Sequence, residues 1–261
     1  MLKQTSYTSK IQQPDGSFFY DEEETSVWRD LYMRQMENLQ DFACESYLAG
    51  QKKLGFSSDE IPQVAALDAR LHDLTKAGVA PVAALIPEDE FATLLKNRKF
   101  PVATFIRRRE HIDYIEEPDI FHEVFGHSPM LTNLNFCRFM ERFGTLSLEV
   151  SEEERKYLFR LFWFTVEFGL IREDGKLKAF GAGIISSPSE TENAAGDKVK
   201  TLPFDALAAM RTPYRIDIVQ PLYFVIDSFE SLAASLDGDP RALIKKAREL
   251  GDFPPRFEVA A

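Results

Sequence analysis

The sequence predicts a mainly α fold with a few short strands (α+β), in a single domain. Three observations predict it. Apolar residues recur at helical spacing in several long segments, short apolar runs between turn signals are few, and the 261 residues hold no internal repeat or linker-like tract. With 44% hydrophobic and 28% charged residues, the composition is that of a soluble globular protein able to bury a sizeable core without disulfides.

Residues 1–22 read as an irregular arm with a Pro14-Asp15-Gly16 turn, leaving 23–261 as the domain. Val27, Leu31, Met36, Leu39, Phe42 and Ala43 recur at helical spacing, so one helix is predicted over 23–48, with Gly50 and Gly55 framing its exit. A second helix is predicted over 61–74, with Pro62 in its first turn. The run 81–86 reads as extended chain, followed by an acidic helix start at 87–90 and a strand over 100–106. Asp119 is a plausible N-cap for a helix that carries His122 and is ended or distorted at Gly126. Further helices are expected over 135–148 and 151–170, the latter opening on acidic residues that suit the helix dipole. Strand and glycine-rich turn follow over 176–187, a short strand over 214–219, and a last helix over 240–250. The acidic segment 189–197 reads as a surface loop, with a mobile loop over the site as the alternative.

The net charge of −11 argues against nucleic acid as a partner, since phosphate binding needs clustered cations and 107–109 is the single basic run. No apolar stretch is long enough to span a bilayer, and the first residues lack the apolar core of a secretion signal. Cys44 and Cys137 lack metal or redox spacing and read as reduced core thiols, so a cytoplasmic protein is expected. The 22 Phe against 8 Tyr and 2 Trp read as a Phe-rich core.

Chemistry concentrates at His122 and His127, two of four histidines. Their His-x4-His spacing is one residue longer than the zinc-protease pattern. On a straight α-helix such a pair lies roughly 140° apart, so both imidazoles reach one metal only if His127 lies past the helix end, where Gly126 offers a break. Glu167 is a single carboxylate in the apolar run 163–169, where a buried charge needs either a metal or an arginine such as Arg160 or Arg172. Two imidazoles and one carboxylate make the facial triad of non-haem ferrous oxygenases. Zinc tolerates the same ligands, so residue types alone leave a zinc-dependent hydrolase open.

Between residues 82 and 190 the chain resembles the catalytic domain of the pterin-dependent aromatic amino acid hydroxylases, and is most similar to their bacterial phenylalanine 4-hydroxylase members. Three blocks carry the resemblance: Glu117-Pro118-Asp119-x-x-His122-Glu123-x-x-Gly126-His127, the run Trp163 to Leu170, and Gly181-Ala182-Gly183-x-x-Ser186-Ser187. The resemblance implies an iron- and tetrahydropterin-dependent monooxygenase converting phenylalanine to tyrosine, with Fe(II) held by His122, His127 and Glu167. It implies that Asp119 orients the His122 imidazole and that Arg107 grips the amino acid carboxylate. Gly183 and Ser186 would form the far wall of the substrate site, and Pro118, Trp163 and Phe168 the pocket around the ring. Phe91 would stack on the pterin, Ala84, Leu85 and Ile86 would offer it backbone groups, and Glu123 would stand near it.

Ile115, Phe162 and Pro101 depart from residues common in animal members, which bears on the pterin and not on the iron ligands. Trp163 favours phenylalanine, because members acting on tryptophan tend to carry a smaller aromatic there; a tryptophan or mixed preference is the alternative. The expected partners are phenylalanine, oxygen and the pterin alone. The chain lacks room for the regulatory and assembly segments of animal members, so a monomer is expected.

Overall fold

The computed structural model describes residues 7–196 and 200–257; residues 1–6 of the arm and Asp197 of the acidic segment lie outside the described residues. Helix α1 (Glu22–Leu39) opens on a capping box in which Asp21 and Glu24 exchange side-chain and backbone hydrogen bonds, a device worth about 1 kcal/mol. The predicted helix over 23–48 is in fact two, because the chain leaves α1 after Leu39 and reaches the sheet: Cys44 N donates to Ala179 O and Ala179 N to Phe42 O. Helix α2 (Glu45–Leu54) then starts afresh and ends at Gly55, which takes the left-handed conformation of a C-cap. Helix α3 (Val64–Thr75) begins later than predicted. Gln63, just before it, spends its side chain on the backbone of Phe18, tying down the arm.

Strand β1 (Gly78–Val82) starts before the predicted run and ends inside it. Helix α4 (Glu88–Lys96) follows, and strand β2 (Lys99–Ala103) pairs parallel with β1. The arm crosses this unit, with Ser9 Oγ donating to Val82 O and Tyr7 stacked on Phe105 at 4.8 Å.

The largest departure from expectation lies at the predicted helix over His122. Phe121–His127 is a π-helical turn that contains both histidines; it is not an α-helix broken before the second. With i→i+5 bonds, residues five apart stand above one another, which an α-helix forbids. Its rear face is apolar and buried: Phe121 and Phe125 stack at 4.6 Å, Trp28 meets Phe121 edge-on, and the Tyr47 hydroxyl donates to Phe125 O. Gly126 does not break the helix. It admits the neighbouring backbone, since a Cβ there would meet Ala182 Cβ at 3.1 Å.

Helix α5 (Leu134–Glu149) agrees closely with expectation. The predicted helix over 151–170 splits into α6 (Glu152–Phe162) and a second π-helical turn, Trp163–Glu167, closed by Phe168 N donating to Trp163 O. Leu170 lies not in that helix but in strand β3 (Leu170–Glu173), joined to β4 (Lys176–Ala179) by a two-residue turn at Asp174 and Gly175, both at positive φ.

The glycine-rich turn after β4 contains a single helical turn, α7 (Ala182–Ile185). The acidic segment is not a loop but helix α8 (Pro188–Ala195), whose Glu190, Thr191 and Ala194 are buried. Strand β5 (Thr201–Pro203) and helix α9 (Ala206–Arg211) follow. The strand predicted over 214–219 is absent. Its alternating polar residues form bends, and the strand is instead the fully buried β6 (Tyr223–Ile226). The larger sheet has order β4-β3-β6-β5, and α10 (Phe229–Ala234) meets the chain just past β4, where Phe229 lies edge-on to Phe180. Helix α11 (Pro240–Leu250) coincides with its predicted bounds. The phenylalanine excess is a core property: Phe121, Phe125, Phe136, Phe139, Phe143, Phe180 and Phe224 are all fully buried. Cys44 and Cys137 are buried free thiols, pushed up to about 12 and about 11 by burial, as inert core cysteines should be.

Candidate metal and substrate site

The two π-turns face one another across the floor of a cavity of about 480 Å³, a size typical of small-molecule sites. His122 Nε2 and His127 Nε2 stand 3.1 Å apart. Glu167, the last residue of the second π-turn, brings Oε1 to 3.3 Å from His127 Nε2 and Oε2 to 3.5 Å from His122 Nε2. These separations suit donors sharing one ion at bonds of about 2 Å. Neither arginine proposed as a partner for Glu167 reaches it. Arg160 pairs with Asp252, and Arg172 donates to Gly175 O.

The charge states agree with a cation-binding floor. Burial drives the His122 imidazole down to about 4, against the pull of Glu167, so it is a neutral donor at pH 7. Burial works to raise Glu167, but His127, by charge and hydrogen bond, and His122 overcome it and hold the carboxyl below its usual range. Glu123 also brings an oxygen within 4.8 Å of the imidazole donors. It is farther than Glu167, and burial, reinforced by Glu167 and Asp119, pushes its carboxyl well up. Greater distance and a carboxyl that resists ionisation suit a neighbour of the ion better than a ligand.

Asp119 does not orient the His122 imidazole. Its Oδ1 accepts from the His122 backbone N–H, and its two oxygens take Nε and Nη2 of Arg107 in a fork at 2.8 and 2.9 Å. The pair is buried, and Arg107 holds the Asp119 carboxyl down against burial. The imidazole is oriented instead by Ser186, whose Oγ lies 2.8 Å from His122 Nδ1 and donates its own proton to Ala182 O. Ser186 Oγ must therefore accept, which puts the proton on Nδ1 and frees the Nε2 lone pair for the cavity. On the other side Phe100 lies against the His127 ring, 4.3 Å between centroids.

Arg107, Pro118, Glu123, Trp163, Phe168 and Gly183 all line the cavity with the three donors, as do Phe91 and Ser186. Gly183 is packed against Phe168, so that a Cβ would lie 2.5 Å from its ring. Ala84, Leu85 and Ile86 do not line the cavity. Ala84 is buried instead in a small cluster with Tyr7, Ala103 and Phe105. Sequence reasoning missed Phe100, Tyr214 and the walls over 113–116 and 216–219. Tyr214 stacks on Trp163 at 4.3 Å, a contact 51 positions away that no local pattern announces.

Comparisons with known proteins show the family. Residues 1–247 match the family model described as biopterin-dependent aromatic amino acid hydroxylase, a wider span than 82–190. A phenylalanine-4-hydroxylase of Vibrio cholerae is 45% identical over 97% of this chain and 88% of that protein. The structure of the cold-active phenylalanine hydroxylase of Colwellia psychrerythraea superposes with a TM-score of 0.93 at 42% identity, covering 96% of this chain and 97% of that one. The phenylalanine hydroxylase of Chromobacterium violaceum, solved with bound oxidised Fe(III), gives 0.89 at 35% identity, covering 96% and 91%.

Proposed function

The chain belongs to the biopterin-dependent aromatic amino acid hydroxylases and is an iron- and tetrahydropterin-dependent phenylalanine hydroxylase; from that premise we propose that His122, His127 and Glu167 hold its ferrous iron. The observation that carries the assignment is the convergence of two imidazole Nε2 atoms and one carboxylate on the cavity floor. The donor set would suit such an ion, and all three side chains line the cavity. Bound there with the pterin, the iron supplies the activation of oxygen that para hydroxylation of phenylalanine to tyrosine requires.

The chain's own residues bind, orient and exclude water. Arg107 takes the substrate carboxylate with the donors that Asp119 leaves over, and Asp119 keeps the guanidinium plane fixed. Pro118, Trp163 and Phe168 enclose the aromatic ring, with Gly183 keeping α7 close behind Phe168. Ser186 holds the His122 tautomer. Phe91, supported edge-on by Phe162, offers a ring for the pterin, and Glu123, its carboxyl pushed up by burial, lines the same cavity. We divide the chain into the arm 1–22 and a catalytic domain 23–261, and take it to act as a cytoplasmic monomer without a nucleic-acid partner. The net charge of −11 supports the last point. Among the described residues no helix is long and apolar enough to cross a membrane.

Anaerobic loading with ferrous iron, followed by oxygen, tetrahydropterin and phenylalanine, should give tyrosine, lost in His122→Ala, His127→Ala and Glu167→Ala. Absence of ring hydroxylation on phenylalanine, tryptophan or tyrosine at full iron occupancy would sink the reading. The family match and its phenylalanine-hydroxylating bacterial members do not favour a tryptophan-first enzyme or a zinc-dependent hydrolase.

A further inference from the structure

Gln220, only 2% exposed, uses every polar atom it has. Its side-chain Oε1 accepts from Trp163 Nε1–H at 2.9 Å, and its Nε2 donates to Arg215 O and Ile218 O, each at 3.0 Å. Its backbone N–H donates to Glu190 Oε1 and its carbonyl accepts from Asn193 Nδ2, which anchors it to α8. Glu190 is completed by the Tyr223 hydroxyl from β6, so the anchor itself is buried and satisfied.

Trp163 and residues 216–219 are both cavity walls, and one amide joins them. The indole is sandwiched by Tyr214 at 4.3 Å and Phe168 at 4.5 Å. Stacking sets the plane of the indole but not which of its edges faces which wall, since a half-turn about Cβ–Cγ keeps the plane; the Nε1–H bond to Gln220 selects one edge. The loop over 215–218 has bends and no ladder of its own, so the two bonds from Gln220 Nε2 stand in for one.

The geometry points to Gln220 as a positioning residue for substrate selection: by fixing the indole and the adjoining loop to each other, it holds the slot at a width that suits a single aromatic ring. This rests on the reading of the cavity as the phenylalanine site. Gln220 touches neither substrate nor iron ligands and acts through Trp163 and the loop. Its loss leaves a part-buried indole N–H and two carbonyls to find other partners, and the walls part.

Gln220→Met keeps the side-chain length without its hydrogen bonds. Calorimetric titration of phenylalanine should show affinity weakened roughly tenfold, and the tryptophan-to-phenylalanine ratio of kcat/KM should rise by a similar factor, with iron stoichiometry unchanged. Should that variant not fold, Gln220→Asn carries the same comparison, its amide one methylene short of serving both walls. Wild-type affinity and selectivity in a folded variant overturn the proposal. So does iron loss in step with affinity, which would put the effect at the metal. A wild-type protein that binds phenylalanine but forms no tyrosine overturns the hydroxylase reading instead, and the calorimetric comparison still decides on Gln220.

Discussion

The floor and the rim of the cavity are built on opposite principles. On the floor, His127 is 2% exposed and Asp119 fully buried, and the donors sit on two π-turns backed by packed aromatics. On the rim, Tyr114 is 61% and Ile216 53% exposed, on segments of bend and loop. The difference teaches where precision is needed. An ion requires donors placed to tenths of an ångström, which demands buried neighbours that leave no alternative. Enclosing an organic ring tolerates a looser wall.

The contrast can be broken or sharpened by substitution. The largest effect is expected at Asp119→Ala, which leaves the Arg107 guanidinium buried without its carboxylate. Loss of about 3–5 kcal/mol should appear in urea unfolding, and phenylalanine affinity should fall with it. Next is acid response in metal-stripped protein. His122 titrates near 6.5 unfolded and near 4 folded, so its contribution is intact above pH 6.5 and lost as pH falls toward 4, about 3 kcal/mol in all. Glu123 runs the other way. Its raised carboxyl favours folding below pH 4.5, and that contribution is lost as pH rises. Glu123→Gln should therefore stabilise the stripped protein at neutral pH and steepen its acid loss, which melting curves at stepped pH would read; a flatter profile in the variant would contradict both assignments.

Smaller in effect, Ser186→Ala should weaken metal binding roughly 10–100-fold while leaving the fold intact, because besides the partner of His122 Nδ1 it removes only a second donor to Ala182 O, which keeps the Ser186 N–H. Competition with a chelator measures it. At the rim, Val219→Ser should change stability by no more than about 0.5 kcal/mol and the KM for phenylalanine by less than about tenfold. A rim change as damaging as Asp119→Ala would erase the distinction.

The three side chains that converge on the floor could be singled out in the sequence, because two histidines and a lone acid in an apolar run are rare side chains in informative places. How they converge was not legible. Periodicity reasoning assumes 3.6 residues per turn and reads a five-residue spacing as a misfit, so it invoked a break at Gly126 where the chain winds a wider turn. The split between α1 and α2 escaped for a related reason: Phe42 and Ala43 continue the apolar period although their backbone bonds to Ala179. Helix α11 was readable to the residue because Asp239, Pro240 and Gly251 mark its ends locally. Ser186, Phe100 and Gln220 act through contacts across the fold, and nothing in their immediate neighbours identifies such roles.

A π-turn is an α-turn that accommodates one more residue per cycle, and both ligand-bearing segments are of this kind. Removing a single codon from 123–126 would let that stretch relax to the ordinary helix and swing His127 about 100° away from its neighbours. The gene would then still encode every proposed ligand, in order, while His127 stood apart from the other two. The reading frame's length across these few codons is thus as much a part of the metal centre as the histidines themselves, and libraries that sample deletions would expose a constraint that substitution scans leave hidden.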